Sequence, residues 1–467
     1  MRRSKLPALR PAKVPAKAKK QAAPKAELDL SVDKSISLST LRSTDGIEAV
    51  IKPSKPLLEC PIKDQQKLLF EKCHECCVIC DFSSANADAK AKQTKATLLK
   101  HIAAAFTIPH LVRSMQADTI NEFLNMLSVN LFRPFPTIPS VSPIDAHDSL
   151  SDASWPHLSL VYDSLLASLN CPLIQNSITT SFLYKLIGNS VSPDDREKAV
   201  VRDILHALYT KFIHLREIVR SNIAYQFSNN ICSSELMEFF LSIVSGFNAP
   251  LKQDHVDFYY KYVLPLHSTQ KYTTIQRPFV QCTVKFVQKS ILLFTPTVMY
   301  IAKHWPCSDR RKQIDFLNEL TTLLSTFELN VSPKVASTIF KIVGDCVESE
   351  NTDVSEASVD FLMNPDLASV IRTHSTIVFP IVIEPIYRAA KHHWDECTKT
   401  NAYVVLQVLS EIDNQTFNKA NDAHKLMKAQ KSASFAVFKN NWTRIFENAK
   451  SADRSLMSAN FDCVRDR

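Results

Sequence analysis

Two segments, Asp203–Arg220 (DILHALYTKFIHLREIVR) and Glu235–His255 (ELMEFFLSIVSGFNAPLKQDH), decide how this chain is read. In the first, His206, Tyr209, Ile213, Arg216 and Arg220 recur at spacings of 3, 4, 3 and 4. That period stacks side chains from successive turns, so the spacing predicts one stripe along an α-helix. In the second, Phe239 and Ile243 share a helix face, and Lys252 and His255 share the next. A stripe that mixes aromatic, aliphatic and cationic residues has two readings. It suits a groove for a short peptide that is apolar at one end and acidic at the other. It also suits a core stripe whose charged tips snorkel to water, and periodicity alone favours this second reading.

Outward from this stretch the helical signature continues. QQKLLFEKCHECCVIC (65–80), AKAKQTKATLLKHIAAAF (89–106), TINEFLNMLSVNLF (119–132) and HLSLVYDSLLASL (157–169) are amphipathic, and Trp155-Pro156 opens the last of them. Proline fits the first turn of a helix and disfavours helix in the residue before it. Pro172, Pro193, Pro250, Pro265, Pro278, Pro296, Pro306, Pro333, Pro365 and Pro380 therefore mark breaks between helices. The strand-like run STIVFPIVIEPIY (375–387) is short and cut by proline. About 18 helices in roughly 350 residues give about 40 residues per pair, the spacing of HEAT or armadillo arrays. The expected fold is all-α, a HEAT-like superhelical solenoid over residues 59–450. It ends in a long basic amphipathic helix near 415–450, with tails at 1–58 and 451–467.

Composition narrows the function classes. The chain has four glycines in 467 residues, Gly46, Gly188, Gly246 and Gly344, and 24 prolines. Hairpin-rich β folds and phosphate-cradling loops lean on glycine, and neither a G-x-x-x-x-G-K-S/T nor a G-x-S-x-G motif occurs. Nine of the positive charges behind the net +8 lie in residues 1–25, which contain no acid. The remainder is near neutral, so the basicity belongs to a Pro/Ala/Lys tail. Such a tail is disordered by composition, and either a nuclear-import arm or merely solvated. It has no apolar core of a secretory signal, and no apolar run reaches membrane-spanning length. Cytoplasmic or nuclear residence, with reduced thiols, is expected.

Cys73, Cys76, Cys77 and Cys80 lack the second ligand pair that zinc needs and read as the apolar face of one helix. His101, His110 and the run His392-His393-Trp394-Asp395 sit in no metal or triad pattern. No basic groove interleaved with aromatics suggests nucleic-acid binding. A non-catalytic helical array that binds other proteins is the better class, with no metal and no cofactor.

Ten collinear segments then match a family: ECCVICDF (75–82), FLNMLSVNLFRPFP (123–136), SWPHLSLVYD (154–163), DDREKAVVRDILHALYTKFIHLREIVR (194–220), IVSGFNAPLKQDH (243–255), VLPLH (263–267), KHWP (303–306), FLNEL (316–320), IYRAAKHHW (386–394) and WTRIFENAK (442–450). Over about residues 57–450 the chain resembles the B-prime (B′) regulatory subunits of protein phosphatase 2A, as a divergent member. The resemblance implies about eight HEAT-like repeats and a heterotrimer with the phosphatase scaffold and catalytic subunits. It further implies a groove that reads L-x-x-I-x-E segments of client proteins. Carried over by position, the groove falls on His206, Tyr209, Ile213, Arg216 and Arg220, and on Glu238, Phe239, Ile243, Lys252 and His255. Tyr209, Ile213, Phe239 and Ile243 would wall the pockets for the motif's Leu and Ile. Arg216, Lys252 and His255 would meet its acidic end. Two aliphatic anchors and one charge-assisted contact, less ordering costs, suggest micromolar affinity. Three departures stand out: Ala207 where the family has an Arg that helps recognise phosphorylated motifs, Phe239 where it has an aliphatic residue, and a less acidic loop at Asp145, Asp148 and Asp152. An adaptor of the same fold that has left the phosphatase is the alternative.

Overall fold

The computed structural model describes residues 49–84, 86–135 and 151–453. The basic tail, the loop acids Asp145 and Asp148, and the last fourteen residues lie outside these. Among the described residues there are twenty α-helices, linked by short 3-10 and π turns, and no strand. In order they are α1 Ile62–Glu75, α2 Ala89–Ala105, α3 Pro109–Arg113, α4 Ala117–Leu131, α5 Trp155–Ser168, α6 Pro172–Ser177, α7 Thr180–Gly188, α8 Asp195–Lys211, α9 Arg216–Ser228 and α10 Ser234–Ser245. The second half continues with α11 Gln253–Phe258, α12 Tyr272–Lys289, α13 Phe294–Lys303, α14 Arg310–Thr326, α15 Pro333–Val347, α16 Thr352–Met363, α17 Ala368–Thr373, α18 Ser375–His392, α19 Glu396–Ile412 and α20 Asn414–Ala452.

The helices form two ladders. In one, α2, α5, α8, α10, α12, α14, α16 and α19 each pack on the next, giving eight rungs. The other runs beside it through α1, α4 and α6, then α7 and α9, then α13, α15, α18 and α20. Most of the helices bury one face between rungs and partners, so one continuous core threads the array, while α11 has no fully buried residue. Helix starts are written locally. Thr179, Asp194, Ser233, Asp309, Ser332, Asn351, Asp395 and Asp413 each accept a hydrogen bond from a first-turn backbone N–H, each worth about 1 kcal/mol.

Local rules were overruled in four places. Pro278 lies inside α12, and Pro380 and Pro385 inside α18, rather than at breaks. An interior proline costs about 3 kcal/mol, but α18 buries Val378, Phe379, Val382, Ile383 and Ile386 on one face, which offsets it. Gly344 of α15 faces this helix, and a Cβ there would stand 3.2 Å from Pro385 Cγ. Second, the cysteine run is not one helix face: α1 ends at Glu75 and Cys76 caps it. Cys73, Cys76 and Cys80 are nonetheless buried, and burial pushes the thiols of Cys76 and Cys77 up to about 12 and about 11. Third, the packed body begins before residue 59. Ile51 and Leu57 are buried, and buried Lys72 donates to Ser54 Oγ at 2.5 Å and to the Lys55 carbonyl at 2.8 Å. Fourth, Asp152 is no surface acid of the loop. It is buried and pairs with Arg133 at 2.7 Å, while Arg133 also grips fully buried Glu197 through both carboxylate oxygens. This knot ties Arg133 and Asp152 to the start of α8.

His157, in the first turn of α5, donates Nε2–H to the Lys92 carbonyl at 3.0 Å and meets the Phe82 ring edge-on. Burial, then the charge of Lys95, lowers its pKa to about 4. The folded pKa lies below the unfolded value, so this contribution is fully present above pH 6.5 and is lost as pH falls toward 4. The loss is expected to reach about 3 kcal/mol. Urea titrations at pH 7 and pH 4.5 check it: His157→Asn should flatten the pH dependence, and an equal slope in both proteins would refute the assignment.

Candidate functional site

The predicted stripe from His206 to Arg220 is not one helix. α8 ends at Lys211, Phe212 leaves helical geometry (φ −110°, ψ 84°), and Ile213–Leu215 form a single 3-10 turn before α9 begins. No proline or glycine marks the break. Phe212 and Leu215 are buried on either side of it, so core packing pulls the chain out of the helix. The orphaned carbonyls at the end of α8 find a side-chain partner in Arg216, whose Nε donates to the Tyr209 carbonyl at 2.9 Å.

The break is what assembles the cluster. In a continuous helix Tyr209 and Arg220 would stand about 16 Å apart along the axis. Folded back, Arg220 Nη1 donates to Tyr209 Oη at 3.1 Å, and the Arg216 guanidinium lies 5.1 Å over the Tyr209 ring. The same ring meets Phe239 of α10 edge-on, with centroids 6.0 Å apart. Tyr209 is thus held from three sides. Beside it Ile213, 71% exposed, stands at the tip of the turn.

Phe239 and Ile243 were expected to wall the groove, but they are 1% and 3% exposed and belong to the core. They support the surface from below, and Tyr209 and Ile213 offer its apolar area. His206 is exposed one turn before Tyr209. Glu238 is exposed and paired with Arg202 at 2.8 Å. Ala207 packs half-buried against the core.

Arg220 also opens into a second space, a cleft of 590 Å³ shared with Lys252 and His255 and walled by Tyr225, Phe247 and Tyr262. His255 stacks flat on Phe247, with centroids 3.8 Å apart and planes 7° from parallel. Its buried Nδ1 has no hydrogen-bond partner among the described residues. Burial, then Arg220 and Lys252, hold its pKa below the usual range. His255 therefore offers a hydrogen-bonding nitrogen more than a charge. Glu217 and Asp254 also line the cleft, so it is mixed in sign. Neither acid was anticipated, nor was Phe247, which lies across a loop from His255 where no periodic spacing could reveal the stack.

The predicted residues thus form two groups joined through Arg220: Tyr209, Arg216 and Phe239 on one side, Lys252 and His255 on the other. The arrangement offers an apolar shelf leading to a polar cleft. Among the described residues no group of three or more His, Cys, Asp or Glu could hold a metal ion, and no single helix is long and apolar enough to cross a membrane.

Residues 54–449 match the family described as "Protein phosphatase 2A regulatory B subunit (B56 family)". Among curated proteins, the chain is 28% identical over 430 residues to the mouse serine/threonine-protein phosphatase 2A 56 kDa regulatory subunit alpha isoform, covering 89% of this chain and 87% of that one. It is 30% identical over 413 residues to the rabbit delta isoform (84% and 70%) and 30% over 396 residues to the human beta isoform (81% and 79%).

Proposed function

Because the chain belongs to the B56 family of protein phosphatase 2A regulatory B subunits, we propose that it selects client proteins by binding L-x-x-I-x-E segments along the α8–α9–α10 surface and the adjoining cleft. As a member of that family it is a non-catalytic regulatory subunit of the phosphatase. The observation that carries the proposal is Tyr209, clamped between Arg216, Arg220 and Phe239 with exposed Ile213 beside it.

The motif's Leu rests on the Tyr209–Ile213 shelf, and its Ile presses over the position supported by Phe239 and Ile243. Its Glu turns into the cleft of Arg220, Lys252 and His255. Leu and Glu lie five residues apart, so an extended peptide spans about 17 Å. In the cell the chain joins the scaffold and catalytic subunits and releases clients readily, since two aliphatic anchors and one charge-assisted contact give about micromolar affinity. The test is affinity purification of the tagged full-length chain with mass spectrometry of its partners. Recovery of scaffold and catalytic subunits together with motif-bearing clients is expected. Recovery without either phosphatase subunit would favour the unattached adaptor.

Ala207 sets the response to phosphorylation. Ala207→Arg is expected to strengthen binding of a motif peptide phosphorylated inside the motif about tenfold more than binding of the unphosphorylated peptide. Calorimetry with the two peptides reads the difference; equal gains would remove Ala207 from the account.

A further inference from the structure

Far from this surface, the first half of α20 packs on α18 and leaves a cleft of 440 Å³. Its lining holds Arg388, Lys391, Lys425, Lys428 and Lys431 against one carboxylate, Glu384. Glu384 is already divided between Arg388 and Lys431, at 3.3 Å from each. Arg388 also pairs with Glu348, and Lys425 with Asp422. Lys391 and Lys428 have no ion-pair partner among the described residues. Burial holds the pKa of His424 down, and the ammonium groups of Lys428, Lys431 and Lys391 add to this against the opposing pull of Glu384. Like charges gathered in a recess repel one another, and an anion placed among them relieves the repulsion.

Two further features describe the anion's carrier. A buried acceptor, Asn421 Oδ1, has no hydrogen-bond partner among the described residues and belongs to the lining, so a donor such as a peptide N–H is wanted there. The cleft also runs into the face of α20 that carries Met427, Ser434, Phe435 and Phe438, of which Met427 and Phe438 are half exposed. From Lys428 to Phe438 the helix rises about 15 Å, which an extended peptide spans in four to five residues.

We propose that this groove binds an extended protein segment carrying a phosphorylated Ser or Thr, its phosphate between Lys391 and Lys428 and an apolar residue four to five positions away against Phe435 and Phe438. A phosphomonoester carries nearly two charges and three acceptor oxygens, which matches two unpaired ammonium groups better than a single carboxylate does. The recess between two helices and the unpartnered acceptor favour a peptide over a flat lipid surface. The site shares no residue with the α8–α11 surface and does not depend on its assignment.

The experiment uses the full-length chain and a fluorescein-labelled peptide, phosphoSer-Gly-Ser-Gly-Ser-Leu, beside its unphosphorylated form, read by fluorescence anisotropy. The phosphorylated peptide is expected to bind at least about tenfold more tightly, and added salt should erode the difference. Lys391→Glu with Lys428→Glu should abolish that preference while an L-x-x-I-x-E peptide binds as before. Both lysines are exposed, and an unchanged melting temperature confirms that the variant is folded. Equal binding of the two peptides, or an undiminished preference in the variant, overturns the proposal. So does charge-dependent binding to phosphoinositide vesicles without any peptide binding, which would make this a membrane-facing patch.

Discussion

Arg133→Met is expected to destabilise the chain by about 3–5 kcal/mol, the cost of leaving buried carboxylates without their countercharge. Arg133 holds Glu197 with two bonds, at 2.8 and 2.7 Å, and Asp152 with a third at 2.7 Å. Tyr162 and Ser192 also donate to Glu197, while Ser154 and the Asp194 side chain fix Asp152. Tyr162, Ser192 and Ser154 donate to the two acids without bringing positive charge, and Asp194 only accepts from the Asp152 backbone N–H, so none of them can replace the guanidinium. The variant Arg133→Met with Glu197→Gln should recover part of the loss, because it removes the stranded charge as well as its partner. Arg196→Ala is the milder comparison: that half-exposed guanidinium pairs with buried Asp194 at 2.7 Å, but Asp194 keeps the backbone N–H bonds of residues 152 and 196, so about 1–2 kcal/mol is expected. Urea unfolding measures all three. A loss below 1 kcal/mol for Arg133→Met would mean that water reaches the knot. Since the knot also anchors the start of α8, the same variant should weaken motif-peptide binding in parallel.

Tyr209→Ala is expected to weaken L-x-x-I-x-E binding at least about 30-fold, the effect of removing a central aromatic anchor. The ring is the one group that touches Arg216, Arg220 and Phe239 together, so its loss frees both cations as well as the apolar shelf. Only half buried, Tyr209 should cost little stability. Arg216 is different. Its guanidinium caps the carbonyl end of α8, so Arg216→Glu would set a carboxylate against the negative end of the helix dipole and destabilise the fold by about 1 kcal/mol as well. Arg216→Gln keeps a donor for that carbonyl and separates the two effects. Calorimetry with the motif peptide, paired with thermal melts, resolves them. Undiminished affinity in Tyr209→Ala would remove this surface as the motif site.

Helix content, helix starts and repeat spacing were legible because they depend on neighbours three or four residues away. Prolines such as Pro172 and Pro333 announce helix starts, about 40 residues per pair announces an array of helical pairs, and the family resemblance implied about eight repeats, which the eight rungs match. The two wrong proline breaks at Pro278 and Pro380 show the limit of that logic, since burial of a long apolar face outweighs one missing hydrogen bond.

The candidate site divides along the same line. The sequence, through the family resemblance, supplied ten candidate residues, their mixture of apolar and cationic types and their place on adjoining helices, but not Glu217, Asp254 or Phe247, which line the cleft beside them. Only the tertiary structure decided which of them are exposed and which are buried. It buried Phe239 and Ile243, left Ile213 exposed, stacked His255 on Phe247, and broke the stripe at Phe212 so that Arg216 and Arg220 return to Tyr209. The reason is physical: periodicity fixes the direction of a side chain within its own helix, whereas burial, charge and contact depend on helices distant in sequence that pack against it.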